Sequence, residues 1–153
     1  MTKKGQELHD EHEVMRYVPY RLLRKDDDGN PIGFLGDAFK LKPAEDELSL
    51  NWMEYFEGNR PDRVEQSVKT FRRTLDVRPS AAFGVANVGN LRAVAETYSA
   101  KVRIVYAPIE KPPDERNLSH AEVRKLPRED LELFDALAVD VFTEMIKNSS
   151  VPA

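Results

Sequence analysis

Apolar and polar positions alternate most cleanly at Glu47-Leu48-Ser49-Leu50-Asn51-Trp52. Leu48, Leu50 and Trp52 fall on one side, and Glu47, Ser49 and Asn51 on the other. A period of two predicts a half-buried strand. Further on, Val64, Val68, Phe71 and Leu75 recur at helical spacing and predict an amphipathic helix from about Pro61 to Leu75. Pro61 suits its first turn, Asp62 the positive end of its dipole, and Arg72 and Arg73 the negative end. Ala82 to Val88 is a short apolar run, as expected of a central strand covered on both faces. A helix over Leu91–Ser99, with Asn90 as its N-cap, and a strand over Val102–Ala107 follow. That strand–helix–strand order predicts a right-handed crossover with parallel pairing.

The flanking segments are less regular. Val14 to Leu23 is branched and aromatic, and reads as a strand that Pro19 assigns to an edge or a bulge. Asp26 to Pro31 is a turn with Gly29 free to take a positive φ, and Ile32 to Leu41 reads as a second extended segment. Ser119 to Leu126 predicts a short strand with His120, Glu122 and Arg124 on one face. A last helix from Pro127 carries Phe134, Leu137, Ala138, Val141 and Met145 in register to about Lys147. The expectation is a single α+β domain over 13–147, with a mixed sheet of about five to six strands and three packed helices. Residues 1–12 read as a disordered tail and 148–153 as a frayed C-terminus.

Composition narrows the chemistry. The 153 residues include no cysteine and three histidines, two of them (His9 and His12) in the predicted tail. Disulfides, thiolate metal sites and a cysteine nucleophile are excluded, and neither a metal nor a cofactor is expected. A net charge of −4 argues against bulk attraction to nucleic acid or an anionic membrane. No apolar run is long enough for a membrane helix, and the first residues lack a signal-peptide core, so a soluble cytoplasmic protein is expected. The charge is uneven: arginines gather in and beside the 61–75 helix, and acidic residues dominate the last third.

His120 is the one histidine inside the predicted fold, placed after a long proline-rich loop, and is the candidate acid–base group. Glu47 and Ser49 are its candidate polar partners if their strand face lies beside it. Arg21 and Arg24 are candidate anion clamps, since a guanidinium fork matches phosphate geometry. Gly89 and Asn90, at a strand-to-helix corner, are a candidate anion cradle. Gly84 and Gly89 have P-loop spacing, but Asn90 and Leu91 stand where its lysine and hydroxyl belong. With no strong catalytic motif, the expected function is a non-catalytic accessory or regulatory subunit that binds another macromolecule. A protein partner or second copy is favoured over nucleic acid, and an anionic small molecule is a further candidate. The alternative is a small transferase or hydrolase acting on a nucleotide or other anionic substrate through His120.

Overall fold

Among the residues described by the computed structural model, 2–113 and 115–153, eight strands and three helices form. In chain order they are β1 (Glu13–Val18), β2 (Leu23–Lys25), β3 (Pro31–Phe34), β4 (Leu48–Trp52), α1 (Arg60–Thr74) and β5 (Ala82–Asn87). There follow α2 (Val88–Thr97), β6 (Arg103–Tyr106), β7 (His120–Arg124), α3 (Leu131–Ala136) and β8 (Glu144–Lys147). The architecture is α+β. Six strands make one sheet in the order β6-β7-β4-β1-β5-β8, and β2 and β3 make a separate ribbon. No helix among the described residues is long and apolar enough to cross a membrane.

Each face of the sheet has its own core. Val14, Leu50, Trp52, Ala82 and Ile104 pack under α2 and α3, together with Phe34 and Phe39 from the ribbon region. Met15, Phe83 and Val85 pack on the other face under Val68 and Phe71 of α1. The rings of Phe71 and Phe83 stack with centroids 5.5 Å apart. A capping box starts α1: Asn59 Oδ1 accepts from Asp62 N, and Asp62 accepts from Asn59 N.

Several expectations give way to tertiary structure. The segment 82–107 makes no parallel pair, because three strands lie between β6 and β5, and every ladder in the sheet is antiparallel. β1 is central rather than an edge, and Pro19 lies just beyond its last residue, where its missing N–H costs nothing. The N-cap of α2 is Asn87, whose side chain accepts from Asn90 N. The last helix stops early: a π-turn at Leu137–Val141 ends it, and Met145 sits in β8, paired to Gly84.

Both termini are also docked. Residues 5–8 run beside β6, with Gly5 N donating to Tyr106 O and Leu8 N to Ile104 O, so they cover an edge that would otherwise stand open. The indole N–H of Trp52 donates to His12 Nδ1 (3.1 Å). At the other end, the Arg72 guanidinium donates to the carbonyls of Asn148, Val151 and Pro152 and to Asn148 Oδ1. The buried Leu8 and the single arginine Arg72 are the residues that hold the two ends.

Leu8 is only 2% exposed within the larger core. Leu8→Ala is expected to cost about 2–4 kcal/mol in urea unfolding, the range for a leucine truncated in a core. A change below about 0.5 kcal/mol would show the segment to be loose.

Candidate functional site

On the α1 side of the sheet, β4 and β7 bring together the polar residues singled out by their alternation. Asn51 pairs with His120 and Ser49 with Glu122, so these four side chains share one face. Asn51 is fully buried and makes three side-chain hydrogen bonds to two residues. Its amide donates to Ser67 O and Oγ on α1, and its carbonyl oxygen accepts from Asn117 Nδ2 (2.8 Å). Asn117 Oδ1 in turn accepts from the backbone N–H and hydroxyl of Ser119. This buried network fastens α1, β4 and the loop before β7 at one point. It thereby fixes the backbone that carries His120.

The His120 ring is buried, and its Nδ1–H donates to Ala107 O (2.8 Å), because a carbonyl can only accept. In the neutral ring Nε2 is therefore an acceptor. Burial pushes the imidazole below its ordinary range; the Ala107 hydrogen bond and the charges of Glu122 and Glu47 pull weakly the other way. Among the described residues no carboxylate hydrogen-bonds to the ring, and Glu122 is itself paired with Arg124 (2.9 Å).

His120 lines a cavity of about 280 Å³ bounded by Ser49, Phe71, Leu75, Ile109 and Lys111. Ser49, Phe71 and Leu75 also line a second cavity of about 240 Å³ with Arg16, Arg21 and Lys42, so the two are halves of one groove. The second cavity opens where β4 parts from β1. β1 pairs with β5 along all its six residues, but with β4 only at Val14 and Met15. Arg16 spans the gap: its Nε donates to Ala38 O and one terminal nitrogen to Ser49 O, each at 2.8 Å.

The candidate residues are thus divided. Ser49 and His120 share a cavity, and Arg21 lines the adjoining one. Glu47 precedes β4 and acts on His120 only through space. Arg24 lies on the β2–β3 ribbon against Gly33, outside both cavities. Gly89 and Asn90 are on the opposite face, and their cradle is already filled. Val88, Gly89 and Asn90 donate to His12 O, Asp10 O and Asn87 Oδ1, which leaves no free N–H there for an anion. The arginines of α1 are also spent internally: Arg60 on Glu13 and Glu144, Arg63 on Phe56 O, Arg72 on the C-terminus and Arg73 on Pro113 O. No group of three or more potential metal ligands occurs among the described residues.

Arg16 is the residue that pattern reading missed. Its alternation places it with Val14 and Val18, and only a cation at an apolar position of β1 marked it.

Two measurements test this geometry. Asn51→Leu leaves the Asn117 amide and the Ser67 hydroxyl without their partner, and is expected to cost about 2 kcal/mol in chemical denaturation. For His120, a lowered pKa in the fold means that the unfolded chain binds the proton more readily. The stabilisation from the neutral ring is complete above the unfolded value near 6.5 and is lost as pH falls toward the lower folded value. His120→Gln should therefore flatten the acid side of the stability profile between about pH 7.5 and 5, whereas an unchanged slope would refute the burial argument.

No protein-family model, curated protein or solved structure matches the chain at a significant level, so the reading of the groove rests on its own residues and geometry.

Proposed function

We propose that the chain is a non-catalytic binding protein, an accessory or regulatory subunit, whose groove receives a segment of a protein partner. The observation that carries this reading is Leu75. It ends the apolar stripe of α1, yet it is 46% exposed and stands where the two cavities meet. Phe71 and Ile109 continue the apolar floor, while Arg21, Lys42 and Lys111 edge it and outnumber the two carboxylates there, Glu45 and Glu115. An apolar centre with a charged rim is the anatomy of a recognition surface. The complementary segment carries an apolar anchor flanked by acidic side chains.

The second reading is a small transferase or hydrolase acting on a nucleotide or other anionic substrate. Its support is that Ser49 and His120 line one cavity. Against it, the imidazole is oriented by a backbone carbonyl, and among the described residues no charged group that would steady an imidazolium hydrogen-bonds to the ring.

Selection of random displayed peptides on the immobilised protein should converge on apolar-plus-acidic sequences. Leu75→Asp should weaken the selected peptides at least tenfold while changing stability by less than about 0.5 kcal/mol, as half-exposed positions usually do. Val139→Asp, at an exposed position on the other face, should leave binding unchanged. Failure to converge, or equal loss in both variants, would sink the proposal.

A further inference from the structure

The smaller half of the groove holds an arginine that forms no ion pair with a carboxylate among the described residues. Arg16 has no ion pair among the described residues; its two hydrogen bonds go to the carbonyls of Ala38 and Ser49. A guanidinium carries five N–H donors, so these bonds leave others uncommitted. Burial pulls it down to about 10, against a weaker opposing pull from Glu45. It remains a cation at neutral pH, partly buried and without an opposite charge bonded to it among the described residues.

The two carbonyl bonds account for Arg16 as a bridge across the gap between β1 and β4. They do not account for a full charge, since a glutamine amide can donate to two carbonyls without one. The cavity around it adds Arg21 and Lys42, both exposed at the mouth, and the hydroxyl-bearing Tyr17. Burial raises the Tyr17 pKa, which keeps the phenol protonated and able to donate. Glu45 is the one carboxylate in the lining, and it accepts from Lys42 N (2.8 Å) rather than pairing with Arg16. Three cations thus share the lining with a single carboxylate.

We propose that this cavity of about 240 Å³ is an oxyanion site, in which Arg16, with Arg21 and Lys42 at the mouth, takes the phosphate or carboxylate group of a small ligand. Phosphate and carboxylate share the chemistry that a guanidinium fork recognises. A cavity of this size admits the charged group and a few further atoms, and the apolar wall of Phe71 and Leu75 sets the character of what is attached. The site does not depend on a partner segment filling the rest of the groove, because a free anion suffices to occupy it.

The test uses the intact chain with inorganic phosphate in one arm and acetate in the other, with ionic strength held constant by chloride. The expected result is a saturable rise in melting temperature in at least one arm. The rise should reach about 3–5 °C once the anion exceeds its Kd tenfold. The Arg16 Nε–H resonance should shift along the same titration curve. A response to phosphate alone assigns a phosphate ligand, and a response to acetate alone a carboxylate. Arg16→Gln should fold and lose the response. Should that variant fail to fold, the exposed pair Arg21→Gln with Lys42→Gln decides, and is expected to weaken the apparent affinity about three- to tenfold. A wild type that responds to neither anion, or variants that respond as strongly as the wild type, would overturn the site. Leu75→Asp peptide binding is read separately, so failure of the anion site leaves the partner groove standing, and the reverse.

Discussion

The buried amide of Asn51 is the constraint on which the site depends. A polar side chain with no exposure must find partners for both ends of its amide, and here those partners come from two separate parts of the chain, α1 and the loop before β7. The same requirement that makes Asn51 costly alone makes it specific in place. α1 can sit over the sheet only where Ser67 meets the Asn51 amide. The proline-rich loop can close only where Asn117 reaches its carbonyl oxygen. Since Asn117 also organises Ser119, the loop and the start of β7 are set together. The walls of the groove are therefore fixed by polar satisfaction more than by hydrophobic packing, which alone would tolerate sliding.

A second consequence follows at the other end of β4. Where α1 and the β1–β5–β8 half of the sheet pack tightly through Phe71 and Phe83, β4 is drawn toward β7, with which it pairs at four positions. β1 remains with β5. The ladder between β1 and β4 ends after Met15, and the gap leaves backbone carbonyls without ladder partners. Arg16 supplies the missing donor to Ser49 O. One residue thus closes an opening in the sheet and brings a positive charge into a groove.

What was legible in the sequence follows from the range of each signal. β4, β7 and α1 each carry a local period, and they formed within a residue or two of the expected bounds. The polar face of β4 does lie beside His120, because alternation fixes which residues share a face once two strands pair. Which strands pair is a non-local matter. A central place for β1 depends on β4 and β5 flanking it, and nothing inside Glu13–Val18 encodes that. Met145 fitted a helical stripe by spacing, yet β5 offered an edge that β8 could satisfy, and ladder bonds overrode periodicity. Gly89 and Asn90 had the sequence of an anion cradle. Their donors were taken by Asp10 and His12, which tail-like composition had set aside.

The distribution of cations completes the argument about selectivity. The chain as a whole is acidic by four charges, which disfavours approach to extended polyanions. Its most basic element, α1, spends Arg60, Arg63, Arg72 and Arg73 on holding other parts of the fold. Arg60 in particular joins the basic helix to Glu144 in the acidic end. The cations without an ion pair among the described residues include Arg16, Arg21, Lys42 and Lys111, and these line the groove. The groove thus gathers these four cations beside Glu45 and Glu115 in a chain that is negative overall. The uneven charge of the sequence is thus resolved by folding into a local preference, set by which arginines the fold consumes and which it leaves over.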